Sequence, residues 1–168
     1  MGYTYILGRT RFFRRKDRVF LWYTNIYSLY RFGLTKDDKM ERIAFIDLGS
    51  NSVRFVIYEI SDTGSYRLIY QEKNSIRLSE NMWGNHKLTE PAMNRALVSL
   101  QSYVHMAKAL EVNSIKAVAT AAVRLAKNGD EFIETVKRET GLDLECISGE
   151  EEARLGFLGV INTIDRKS

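Results

Sequence analysis

Residues Ile43 to Glu59 read IAFIDLGSNSVRFVIYE, and this stretch decides the fold. An apolar run leads to Asp47, a polar turn Gly49-Ser50-Asn51-Ser52 follows, and a second apolar run starts at Val53. That pattern is a strand, a tight turn and a returning strand. A turn of Gly, Ser and Asn can aim successive backbone N–H groups at one point, and its two serine hydroxyls add donors, so it suits a phosphate. Asp47, where the first strand ends, sets a hard oxygen ligand beside that anion, which points to a magnesium-phosphate site. The same residues can do no more than shape a hairpin, because Asp and Asn are common turn formers. Spacing alone leaves both readings open.

Downstream, Asp62-Thr63-Gly64-Ser65 predicts a turn and Tyr66 to Glu72 a third strand. Residues 73–88 lack a period and predict a loop, with Trp83 and His86 as packing and surface residues. Thr89 is positioned to cap a helix whose Met93, Ala96, Leu97, Leu100, Val104, Ala107 and Leu110 fall on one stripe, with His105 beside it. Ile115 to Ala119 predicts a short buried strand. The small residues Thr120, Ala121 and Ala122 then let a ligand or another backbone come close to Arg124. Asn128-Gly129-Asp130-Glu131 has capping-box spacing and Gly141 closes that helix. Leu142 to Ile147 predicts a fifth strand, and Ser148-Gly149-Glu150-Glu151 opens a last helix to about Ile161. The expected order βββαβαβα gives an α/β mixed five-stranded sheet, its later strands entered by right-handed crossovers.

Three glutamates crowd the start of that last helix. All can stabilise it through its dipole. Glu151, third after the Ser148 cap, is the capping-box partner, whereas Glu152 shares a bare helix face with Gly156 and Gly159. A carboxylate heading such a face suits a cleft wall, where it could orient or deprotonate a water attacking a phosphate.

Composition narrows the setting. The 168 residues are 45% hydrophobic, enough for one domain with a core. One cysteine, Cys146, and no Cys/His cluster argue against disulfides and zinc and for a cytoplasmic protein. The formal charge of +4 is unevenly spread: residues 1–39 carry nine Lys/Arg against three Asp, and residues 40–168 carry sixteen against eighteen Asp/Glu. The basic balance therefore does not imply specific nucleic-acid binding by the fold. Residues 1–39 also hold ten of the nineteen aromatics without a period of two or 3.6, and the run Val19 to Tyr30 is too short to span a membrane. They read as a basic aromatic extension outside the fold, with Met40 as the expected natural start.

Three ordered motifs carry a resemblance. From Met40 on, Ile46-Asp47-Leu48-Gly49-Ser50-Asn51-Ser52-Val53-Arg54, Ala117-Val118-Ala119-Thr120-Ala121-Ala122-Val123-Arg124 and Ile147-Ser148-Gly149-Glu150-Glu151-Glu152-Ala153-Arg154-Leu155 resemble the exopolyphosphatase/guanosine pentaphosphate phosphohydrolase family. The resemblance implies the actin-like ATPase superfamily, in which two ribonuclease H-like lobes close over a phosphate chain bound with magnesium. It implies that residues 40–168 are the first lobe, with Gly49, Ser50, Asn51, Ser52 and Arg54 binding phosphate. Arg124 would be the cationic cleft contact, Glu152 the catalytic carboxylate, and Asp47 would help hold Mg2+ through water. The implied reaction removes the terminal phosphate of inorganic polyphosphate or guanosine pentaphosphate. Family members carry a second phosphate loop, Asp-x-Gly-Gly-Gly-Ser, soon after the glutamate helix, which this sequence lacks. The expectation is therefore a lobe of weak or no activity whose partner is a second lobe. The alternative is a non-catalytic lobe that binds phosphate, or pairs with a partner through Gly156, Gly159 and the apolar residues around them, a homodimer included.

Overall fold

The alternation of apolar residues on either side of the Gly49–Ser52 turn places a hairpin at the centre of the sheet. The computed structural model describes residues 40–61, 66–82 and 84–154. Strands β1 (Glu41–Leu48), β2 (Ser52–Ile60) and β3 (Tyr66–Ser75) form an antiparallel meander. Helix α1 (Glu90–Ala109) then leads to β4 (Ser114–Ala119), which lies parallel to β1 from Ile43↔Ser114 to Leu48↔Ala119. Helices α2 (Ala121–Leu125) and α3 (Gly129–Thr140) lead to β5 (Leu144–Cys146), parallel to β4, and residues 149–154 are helical again, here α4. The strand order is β3-β2-β1-β4-β5. The mixed five-stranded α/β sheet is thus as the sequence predicts. Residues 1–39, the turn at 62–65, Trp83 and the run from Leu155 to Ile161 lie outside the described residues.

Several local expectations change. The small residues after β4 form the extra short helix α2, so two helices separate β4 from β5. Strand β3 runs on to Ser75, and β5 keeps only three residues of the expected six. Neither Thr89 nor Asn128 caps its helix with its side chain. Asn128 instead accepts from Leu88 N–H at 2.8 Å and donates to the Leu88 carbonyl at 3.1 Å, pairing the approach to α1 with the start of α3. Gly141 does close α3, at φ 75°.

One face of the sheet buries Ala44, Ile46, Leu48, Val53, Phe55 and Ile57 beneath α1 and α3. The buried line of α1 is Ala92, Ala96, Ser99, Leu100, Tyr103 and Ala107, turned from the expected stripe so that Met93, Leu97, Val104 and Leu110 flank it. Small residues let the helix lie close, and Tyr103 stacks on Phe55 with ring centroids 4.6 Å apart, worth about 0.5–1.5 kcal/mol beyond the area buried. The other face carries Ile43, Phe45, Val56, Tyr58 and Ile60. Among the described residues no helix is long and apolar enough to cross a membrane.

The end of the sheet where β1 begins is locked by charge. Glu59, buried between Arg42 and Arg67, is held below the usual carboxylate range by its hydrogen bond from Arg67, assisted by that from Arg42. Arg42 also donates to the Leu110 carbonyl at 2.8 Å, and its backbone N–H to Asn113 Oδ1 at 2.8 Å. One residue thereby ties the end of α1 to the entry of β4.

Gly129 opens α3 against the end of α2, and a Cβ there would lie 2.2 Å from the Val123 carbonyl oxygen. Alanine ordinarily favours a helix over glycine, so the sign of its effect is diagnostic. Gly129→Ala should cost about 1–3 kcal/mol in urea unfolding, because backbone atoms must move apart. At Gly84, where a Cβ meets nothing within 4 Å, alanine should be near neutral. A neutral or stabilising Gly129→Ala would show that α2 and α3 are not packed this closely.

Candidate active site

Parallel pairing sends β1, β4 and β5 to one edge of the sheet, and the turn residues that follow them meet there. Gly49 N–H donates to the Ser52 carbonyl at 3.0 Å and closes the first turn. A Cβ on Gly49 would sit 3.1 Å from that oxygen, which favours glycine. The Ser50 and Asn51 carbonyls are claimed by the segment after β3. The Asn51 carbonyl accepts from the N–H groups of Ile76 and Arg77, and the Ser50 carbonyl from Ser79 N–H, each at 3.0 Å. Among the described residues the N–H groups of Ser50 and Asn51 and the hydroxyls of Ser50 and Ser52 find no acceptor, so the turn offers donors.

Residues 76–79, for which the sequence predicts a loop, buttress the turn. Their signal was the alternation in Ile76-Arg77-Leu78, whose two apolar members are fully buried. Arg77 takes a positive φ of 46°, which turns the chain beneath the loop.

Asp47 lies opposite Arg54 in the β1–β2 register, so both side chains stand on the face that carries Phe45 and Val56. Burial pushes the Asp47 carboxyl up to about 6; the Arg54 charge pulls against that, and the Glu152 carboxylate adds to it. Asp47, Arg54 and Glu152 therefore share one electrostatic environment.

Arg124, near the end of α2, donates to the Ile147 carbonyl at 2.7 Å and through both terminal nitrogens to Glu152 Oε2 at 3.3 Å. Gly149 lies beside this pair, its Cβ position 3.5 Å from Arg124 Nη2, an ordinary contact distance. Ser148 Oγ accepts from Glu151 N–H at 3.0 Å, as the capping pattern predicts, and Glu152 N–H donates to the Ser148 carbonyl at 2.9 Å. Thr120 completes the edge: its N–H donates to the Leu48 carbonyl at 3.2 Å, and its own carbonyl accepts from Arg124 N–H at 3.1 Å. The expected site residues 47, 49–52, 54, 124 and 152 thus all belong to one edge, whereas His86 and His105 are exposed elsewhere. Burial pushes the nearby Cys146 thiol up, which keeps it protonated and a poor nucleophile. A groove between β4 and α3, lined by Ile115, Lys116, Ile133, Lys137 and Leu142 among others, contains none of the site residues.

Among the described residues no three His, Cys, Asp or Glu side chains gather as a metal cage. One half-buried carboxylate with a second close enough to raise it fits magnesium, which keeps several waters and takes one or two carboxylates together with phosphate oxygens.

Comparison with known proteins finds relatives of this chain. The Ppx/GppA phosphatase family matches residues 56–168. A guanosine-5'-triphosphate,3'-diphosphate pyrophosphatase of Pseudoalteromonas atlantica is 39% identical over 132 residues, which are 77% of this chain and 26% of that protein. The chain thus spans about a quarter of the length of this curated relative. The crystal structure of the Aquifex aeolicus Ppx/GppA family member is similar at 37% identity and a TM-score of 0.66, over 69% of this chain and 38% of that one. An exopolyphosphatase from Cytophaga hutchinsonii is similar at 31% identity and a TM-score of 0.65, over 68% and 36%.

The raised Asp47 pKa carries a sign for stability. Between about 3.8 in the unfolded chain and about 6 in the fold, the folded state holds the extra proton, so stability falls as pH rises across that window. In buffer free of divalent cations, Asp47→Asn should gain about 1–3 kcal/mol in urea unfolding at pH 7. The gain should vanish near pH 4. Equal stability of the two proteins at pH 7 would mean that the charge is not penalised by its surroundings.

Proposed function

The chain belongs to the Ppx/GppA phosphatase family, and on that footing we propose that it supplies one wall of a phosphoanhydride hydrolase site, acting on the terminal phosphate of inorganic polyphosphate or guanosine pentaphosphate. The observation that carries this reading is the convergence of free turn donors, Asp47, Arg54 and the Arg124–Glu152 pair on one sheet edge.

In this reading the Gly49–Ser52 turn receives the terminal phosphate on its N–H and hydroxyl donors, and Arg54 neutralises its oxygens. Glu152 orients the attacking water and accepts its proton as the bond to phosphorus forms. Arg124 has two duties: it fixes the direction of the Glu152 carboxylate, and it offers positive charge to the oxygens as the bridging bond breaks. Asp47 would hold magnesium through water, and the ion would supply charge neutralisation and orientation of the phosphate chain. Such catalysis rests on positioning from both walls of a cleft, so one lobe alone should bind phosphates yet turn them over slowly.

The test gives the lobe its second wall. Residues 40–168 are grafted in place of the matching lobe of the Pseudoalteromonas relative, and phosphate release is measured from polyphosphate and from guanosine pentaphosphate. The chimera should release phosphate from at least one, and Glu152→Gln should lower that rate by about 100-fold or more without moving the unfolding midpoint. A Glu152→Gln chimera as active as its parent would remove Glu152 from the chemistry. An inactive but folded chimera would favour a non-catalytic, phosphate-binding lobe.

A further inference from the structure

The row that holds Asp47 and Arg54 continues by one strand. Arg54 is paired with Lys73 of β3 as directly as Asp47 is with Arg54, so all three side chains project from the same face of neighbouring strands. With strands about 5 Å apart, Lys73 stands roughly 10 Å from Asp47 with Arg54 between them. Two residues along each strand, Ser52 is paired with Ser75, so the row runs beside the mouth of the turn.

Its place in that row, not its charge alone, sets Lys73 apart from other described cations without a carboxylate partner. Several other cations on this sheet and its helices are neutralised: Arg42 and Arg67 by Glu59, Arg95 by Glu80, Lys137 by Asp143. Among the described residues neither Arg54 nor Lys73 has an ion-pair partner within bonding distance. The carboxylate next in sequence, Glu72, projects to the opposite face, where Tyr70 donates to it at 2.7 Å and Asn74 at 2.8 Å. Lys73 itself is exposed. Two unpaired cations in line with the turn form a track for an anion longer than one phosphate.

We propose that Lys73, one strand beyond Arg54, forms a second phosphate subsite that takes the groups left behind when the terminal phosphate held at the turn and Arg54 is removed. This rests on the functional reading above and adds to it the residue that grips the chain beyond its terminal phosphate. The guanidinium grips one group through its fork, and the ammonium, a point charge on a flexible stem, follows the mobile remainder of the chain.

Affinities of the full 168-residue chain for orthophosphate, tripolyphosphate and long-chain polyphosphate, measured by calorimetry with magnesium at fixed ionic strength, test this. Lys73→Gln should weaken the two longer ligands by about five- to twentyfold and leave orthophosphate within about twofold. Arg67→Gln, which removes a cation from the far end of the same strand, should change none of them. Unchanged binding of the longer ligands by Lys73→Gln, or an equal loss in Arg67→Gln, would overturn the subsite while leaving the functional reading in place. A wild-type chain that binds none of the three would overturn both.

Discussion

The parallel pairing of β4 on β1 is the constraint on which the rest of the structure depends. It runs from Ile43↔Ser114 to Leu48↔Ala119 and makes two distant segments end at the same edge. Reversing it would leave the Gly49–Ser52 turn at one end of the sheet and Arg124 at the other. The register is held at its entry by hydrogen bonds: Asn113 N–H donates to the Arg42 carbonyl at 2.8 Å, Arg42 N–H returns to Asn113 Oδ1, and the Arg42 side chain reaches the last turn of α1. Strand β5 then repeats the geometry on β4 and delivers Ser148 and Glu152 to the same place. Binding groups at the carboxyl ends of parallel strands are what open α/β sheets generally provide.

The meander was legible because its information is local. Alternation, a Gly-Ser-Asn turn and β-branched residues all act within a few positions of one another, so β1 and β2 were found almost to the residue. What failed was decided by tertiary contact. Asn128 has a capping pattern, yet its amide gains two hydrogen bonds to Leu88, forty positions away, and the local cap loses. The buried line of α1 is turned by the stacking of Tyr103 on Phe55, which helical periodicity cannot foresee. Thr120-Ala121-Ala122 was legible as a place of close approach, but not as the start of a helix, because five residues give no period.

The candidate site divides in the same way. The turn and Asp47 declared themselves through residue type, and Glu152 stood out by its offset from the Ser148 cap and by the bare face it shares with Gly156 and Gly159. The Arg124–Glu152 pair could not be read from spacing, since it forms only after a helix and a strand have folded between its members. Asp47 shows the conflict that a site imposes on a fold: burial disfavours its charge, while a cation-and-phosphate ligand would reward it. The Glu59 cluster at the opposite end has no such conflict, because two arginines satisfy the carboxylate within the fold.

The central claim is that the residues at this edge act together on a phosphate, and mapping backbone amide shifts during titration with tripolyphosphate and magnesium tests it most directly. The account predicts that the largest shifts fall together on Gly49 to Arg54, on Thr120 to Arg124 and on Ser148 to Glu152, saturating with one affinity. Shifts centred on the groove between β4 and α3, or confined to the turn while Arg124 and Glu152 stay unmoved, would contradict it.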